Sequence, residues 1–267
     1  MRVAVVGHVE WVTFLSVDRA PQPGAILHAD ESWEEPAGGG GGAAGELARL
    51  AGRSALFTAW GSDERGLGLG AAMAPLGVDV RGAQRPEPHR RAVTLVDPGG
   101  ERTIVVVGPA QGLRAGEVTP ADFADLDGVY FCKGDAEVLR CARAARVLVA
   151  TARVLDLVRE SGVELDALVH SARDPGERYT DGDLAHRPRL VARTDGEHGG
   201  TYHGSDGSKG RWDAVPAASI DSYGCGDRFA AGLTWALASG LGAPEALATA
   251  AASGAFAVGV RGAHGAR

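Results

Sequence analysis

Ile220-Asp-Ser-Tyr-Gly-Cys-Gly-Asp-Arg-Phe-Ala-Ala-Gly232 joins a polar turn to a long apolar helix. Asp221 and Ser222 are helix-capping residue types, and Gly224 and Gly226 bracket Cys225. The first amides of a helix have no partner within it, and glycine lets a ligand come close, so this turn reads as an anion site. Asp227 falls in the first turn, where the helix dipole favours an ionised carboxylate. A carboxylate beside an anion cradle suits phosphoryl transfer to an alcohol. The carboxylate takes the hydroxyl proton while the amides of Gly224, Cys225 and Gly226 stabilise charge on the phosphoryl oxygens. The same residues also admit a purely structural reading, in which Asp221 or Ser222 caps the helix and the glycines only make a tight turn.

Upstream of that turn the chain alternates between short apolar runs and amphipathic stretches. Arg2 to Gly7 is a continuous apolar run of the kind that forms a buried parallel strand. Further strands are predicted over Ser54–Trp60, Val78–Val80, Val129–Cys132, Val147–Val149, Ala167–Val169 and Arg189–Arg193. Helices are predicted over Ala43–Leu50, Gly66–Leu76, Asp135–Ala145, Ala152–Glu160, Gly226–Gly240 and Pro244–Val260, with the five-glycine run Gly38–Gly42 before the first. This order predicts an α/β fold: a doubly wound, mostly parallel sheet with helices on both faces. Two stretches break the rhythm. Arg91–Asp97 and Arg102–Val107 flank a Pro-Gly-Gly turn, which makes them a β-hairpin. Trp11–Val17 and Ala25–Trp33 are its expected partners in a small β-sheet. The organisation is therefore read as one domain over residues 1–267, with a lid inserted at about 11–35 and 89–108.

Composition narrows the function. Forty of 267 residues are Gly, about twice the usual share of roughly 7 %. The net charge is -7 and there is no basic block, which argues against nucleic acid as a partner. No apolar run reaches the ~18 residues that would point to a membrane span. The opening seven residues are too short and too quickly polar for a signal peptide. Cys132, Cys141 and Cys225 form no disulfide framework, so a reducing, cytoplasmic location is expected. Asn is absent and Lys occurs only at 133 and 209, a bias that suggests a GC-rich genome.

The segment Asp221 to Gly232 resembles the second signature, D-T-x-G-A-G-D-x-F, of the ribokinase-like (PfkB-type) carbohydrate kinases. Other segments resemble that family in chain order: Gly38-Gly39 its first signature, Gly61-Ser-Asp-Glu-Arg-Gly66 its G-x-D-x-x-G, Gly99–Thr103 its lid hairpin, and Thr194-Asp-Gly-Glu-His-Gly199 its T-x-G-x-x-G. The resemblance implies a ribokinase-like fold and an ATP-dependent phosphotransferase with an alcohol group as acceptor. It implies that Asp227 is the general base, with Gly224, Cys225 and Gly226 as the anion hole. Gly38 and Gly39 would meet the substrate. Thr194, Gly196 and Gly199 would line the nucleotide, with the last two helices walling the adenine. Asp174 and Glu177, which roughly match an N-x-x-E segment, would organise Mg²⁺, a hard cation that keeps several waters.

This sequence departs from that family at three positions. The N-x-D that grips sugar hydroxyls stands here as His8-Val9-Glu10, so Glu10 takes that role with a longer arm. Ala43 and Ser171 stand where Asn is common. A rebuilt sugar pocket is expected, with Glu10 and Arg91 favouring a sugar and Trp11 allowing a nucleoside by stacking. Arg228 either pairs with phosphate or is structural. A protein that binds ligand without phosphorylating it is the remaining alternative. The open lid edge suits pairing with a second copy, hence a homodimer.

Rival motifs fail in context. Gly40-Gly-Gly-Ala-Ala-Gly45 satisfies G-x-G-x-x-G, but the preceding Glu31–Pro36 does not read as a buried strand. There is no G-x-x-x-x-G-K-[ST], no G-x-S-x-G, and no clustering of His with Cys.

Overall fold

The computed structural model describes residues 1–265. Strand β1 (Val3–Val6) shows why the core has two halves. All four residues are buried. Val3 and Val5 join one apolar cluster, while Ala4 and Val6 join the other, as the two-residue period of a strand demands. The chain continues through β2 (Glu10–Ser16), β3 (Glu31–Ala37), α1 (Gly38–Ala51), β4 (Ser54–Trp60), α2 (Glu64–Met73) and β5 (Val78–Gln84). Next come β6 (Arg91–Val96), β7 (Arg102–Val107), β8 (Gly128–Phe131), α3 (Ala136–Ala142), β9 (Val147–Thr151) and α4 (Leu155–Ser161). The last elements are β10 (Ala167–Ser171), β11 (Leu190–Thr194), β12 (Gly200–Gly204), β13 (Lys209–Trp212), α5 (Cys225–Ala238) and α6 (Ala243–Val258).

Nine strands form one sheet in the order β13-β12-β11-β10-β9-β8-β1-β4-β5. From β11 to β5 every neighbouring pair is parallel, and β12 and β13 add an antiparallel edge. Helices α1, α2, α5 and α6 cover one face, against Val5, Tyr130 and Val149. Helices α3 and α4 cover the other, against Val6, Phe131 and Leu148. This is the expected doubly wound α/β architecture.

The small sheet is separate, in the order β3-β2-β6-β7. Its inner face buries Val12, Phe14, Ala92 and Val96 together with Tyr223 from the turn before α5. Phe14 stacks on Trp33 and meets Tyr223 edge-on, both at 5.0 Å between ring centres. All six residues of β7 are exposed.

Two local expectations are corrected. The second lid strand spans Glu31–Ala37 rather than Ala25–Trp33; its first five residues are polar or aromatic and exposed or half-buried. The first helix starts at Gly38 rather than Ala43, so the glycine run is its first turn. Glycine is a poor helix former, yet here four of the five glycines are buried against the sheet end. The β12–β13 hairpin was not anticipated.

Candidate active site

The strand order reverses beside β1. The chain runs outward from β1 to β4 and β5, then returns to β8 on the other side of β1. In open α/β sheets a crevice forms at such a switch, beyond the carboxyl ends of the strands. His8 follows β1 there, and Cys132 and Lys133 follow β8. Two helices start at the same place, α1 at Gly38 and α5 at Cys225.

Asp227 stands between those helix starts. A Cβ added to Gly39 would lie 2.9 and 3.0 Å from the two Asp227 carboxylate oxygens, so Gly39 and the carboxylate are in contact. The Tyr130 hydroxyl donates to Asp227 Oδ1 at 2.7 Å. Burial pushes the Asp227 carboxyl above its ordinary range; the Tyr130 hydrogen bond and the charges of Arg153 and Arg102 pull it back.

The α5 terminus carries no side-chain cap. Gly224 takes a positive φ of 67° as the N-cap residue, which a side chain would resist. Asp221 does not cap: its Oδ1 accepts from the Tyr223 amide at 2.8 Å and its Oδ2 from the Gly262 amide at 2.9 Å. The Ser222 hydroxyl accepts from Arg102 of β7 at 2.7 Å. The amides of Gly224, Cys225 and Gly226 have no acceptor among the described residues. Arg228 is buried and donates to the Ala263 carbonyl, which is the structural reading of that residue.

On the lid side, the Gly38 amide donates to the Tyr223 hydroxyl at 2.9 Å and the Gly39 amide to His8 Nε2 at 3.4 Å. Glu10 is buried and pairs with Arg90 at 2.7 Å. Arg91, the residue expected near the substrate, is exposed and lies beside Trp11 in the strand register. Its neighbour Arg90 faces Glu10 instead. Trp11 is half-buried, and its indole N–H donates to Glu34.

The residues expected to line the nucleotide sit at the end of β11 and in the turn that follows it. Thr194 donates to the His170 carbonyl at 3.3 Å. Gly196 lies against the Arg173 guanidinium, and Arg173 pairs with Asp195 and Glu197. Gly199 is buried in the turn into β12, where a Cβ would meet the Trp212 carbonyl at 2.1 Å, so a side chain is excluded there.

Asp174 and Glu177 meet at Arg153, which pairs with them at 2.6 and 2.8 Å. Both Asp174 oxygens are engaged, Oδ1 by the Gly176 amide and Oδ2 by Arg153. Glu177 is half-buried, and only its Oε1 has a partner among the described residues. No three His, Cys, Asp or Glu side chains among the described residues are grouped to hold a metal. A fully caged ion therefore does not fit, whereas Mg²⁺ held by one carboxylate, waters and substrate phosphates does. Glu177, with Oε2 unengaged among the described residues, fits it better than Asp174, both of whose oxygens already have a partner.

Comparison with known proteins decides the family. The pfkB family carbohydrate kinase model matches residues 1–154 and 144–266. The chain belongs to the pfkB family of carbohydrate kinases. An ATP-dependent ribose-1-phosphate kinase of Halopiger xanaduensis is 28 % identical over 292 residues, covering 100 % of this chain and 95 % of that protein. The fold is similar to ribokinase from Thermotoga maritima, with a TM-score of 0.78 at 20 % identity over 98 % of this chain and 94 % of that one. It is also similar to the nucleoside kinase of Methanocaldococcus jannaschii, with a TM-score of 0.75 at 17 % identity over 98 % and 93 %. No helix among the described residues of this pfkB family chain is long and apolar enough to cross a membrane.

Four residues that the structure brings to the candidate site were not singled out in the sequence: Tyr130, Arg90, Arg102 and Arg153. Tyr130 and Arg102 lie in strands, Arg90 just before β6 and Arg153 in the turn after β9, and none of them carries a local motif.

The buried histidines give a pH test. Burial lowers His8, His170 and His264 to about 4. An imidazole that resists protonation when folded but accepts a proton near pH 6.5 when unfolded lowers stability as pH falls from about 6.5 toward 4. Replacing His170 by Gln is expected to flatten the slope of unfolding free energy against pH between pH 7 and 5, measured by urea titration. An unchanged slope would contradict the neutral assignment.

Proposed function

We propose that this chain transfers the γ-phosphoryl group of ATP to a hydroxyl of a sugar or sugar-like acceptor. The observation that carries the reading is the uncapped start of α5, with Asp227 in its first turn and in contact with Gly39. In this reading Asp227 accepts the acceptor's hydroxyl proton. The amides of Gly224, Cys225 and Gly226, with Arg102 and Arg153 nearby, stabilise charge on the transferring group. The raised carboxyl of Asp227 suits a base that works near neutral pH.

Glu10 and Arg90, with Gly38 and Gly39, would bind acceptor hydroxyls from the lid side. Thr194 and Gly196 would border the nucleotide, with Gly199 shaping their turn. Glu177 would hold Mg²⁺ through water, and Asp174 would fix Arg153. The ion would neutralise phosphate charge. A sugar acceptor is favoured over a nucleoside because Glu10 and Arg90 place buried polar groups at the pocket, while the Trp11 indole N–H is tied to Glu34. The ribose-1-phosphate kinase relative supports the same choice.

The lid also suits a homodimer. Strand β7 is an edge strand whose Ile104, Val105, Val106 and Val107 are 40–55 % exposed. Such an edge invites pairing with a second copy.

Two outcomes are expected. Asp227→Asn should reduce turnover with a panel of pentoses by about 10²- to 10⁴-fold, while ATP with Mg²⁺ still raises the melting temperature. Undiminished turnover would overturn the base assignment, and no stabilisation by ATP would favour a binding protein. Val105→Lys should shift light-scattering mass from dimer to monomer; a wild type that is monomeric at all concentrations would refute the lid pairing.

A further inference from the structure

Strand β8 carries a phenol in the middle of the sheet. Tyr130 lies between Val5 of β1 and Val149 of β9 and is 1 % exposed. Its neighbours Val129 and Phe131 join the α3–α4 face, while Tyr130 joins the α1–α5 face. An aliphatic residue would fill such a position with no polar group to satisfy. A buried hydroxyl needs a partner, and this one has Asp227 Oδ1 at 2.7 Å. Asp227 Oδ2 has no hydrogen bond among the described residues, and Gly39 closes one side of the carboxylate.

We propose that Tyr130 is a positioning residue for the base. By donating to Oδ1 it fixes the rotation of the Asp227 carboxylate and leaves Oδ2 facing the acceptor hydroxyl. The inference rests on Asp227 being the base. In the transfer step the acceptor O–H bond breaks and its proton passes to Oδ2. The acceptor oxygen bonds to phosphorus as the bond from phosphorus to the ADP oxygen breaks. Tyr130 keeps its own proton throughout, because burial and the adjacent carboxylate hold the phenol well above its ordinary range.

The sign of the pH effect follows from the surroundings. Arg102 of the lid, Arg153 beyond β9, Glu177, Cys132 after β8, Cys225 of α5 and Tyr223 lie near enough to interact electrostatically with Asp227. All of them stay when the Tyr130 hydroxyl is removed. A hydrogen bond donated to the charged form lowers a carboxyl pKa, so its loss raises that pKa.

The test is Tyr130→Phe, which keeps the ring, assayed beside Asp227→Asn. Tyr130→Phe is expected to lower kcat about 10- to 100-fold, the scale of a hydrogen bond to a charged group. The acceptor KM should stay within about twofold, since the lost contact acts on the base and not on binding. The acidic limb of the kcat profile should move up by about one pH unit. Incorporating 3-fluorotyrosine at 130, a stronger donor, should move that limb the other way. A Tyr130→Phe enzyme with wild-type kcat and an unmoved limb would overturn the positioning role while leaving the base intact. An active Asp227→Asn enzyme would instead overturn the base reading beneath it.

Discussion

Gly39 has no side chain, and the Asp227 carboxylate occupies the place where one would be. That contact joins the starts of two helices that are nearly two hundred residues apart in the chain. Helix α1 is seated by its own amides: Gly38 on the Tyr223 hydroxyl, Gly39 on His8, and Gly40 on the His8 carbonyl. Helix α5 leaves its first amides open. The two dipoles point into one space, and the buried carboxylate lies between them. Any side chain at 39 would separate the helices or displace Asp227.

The lid belongs to the same arrangement. Gly100 at the β6–β7 turn accepts from the Ser222 amide at 3.0 Å, and Arg102 donates to the Ser222 carbonyl at 2.9 Å. Tyr223, in the same short segment, packs against Phe14 of β2. The turn before α5 is thus held by the lid on one side and by Asp221, through Gly262, on the other. In the proposed reading, a lid that touches the anion loop directly would couple water exclusion to formation of the site.

The parallel core was legible because its strands are apolar on both faces, as in Val3–Val6 and Val147–Thr151. Strand β3 was misplaced because Glu31, Glu34 and Glu35 leave no apolar alternation; on the open face it is tied to β2 by polar contacts, with Trp11 and Thr13 both donating to Glu34. The β12–β13 hairpin was missed for a related reason, its residues being largely glycine and polar. At the site, Asp227 and the glycines were legible because one local motif holds them. Arg91 is exposed while Arg90, one residue earlier, pairs with Glu10, because a one-residue step along a strand turns a side chain to the opposite face. Tyr130 gave no local signal, because its partner lies 97 residues away.

The central claim is that the Gly224–Gly226 amides receive the transferring phosphoryl group while Asp227 receives the acceptor's proton. A crystal structure with ADP, aluminium fluoride, Mg²⁺ and a pentose tests it most directly. The account predicts the fluoride on the three amides and an acceptor hydroxyl within hydrogen-bond distance of Asp227 Oδ2. Fluoride bound elsewhere, or Asp227 turned away from the pentose, would contradict it.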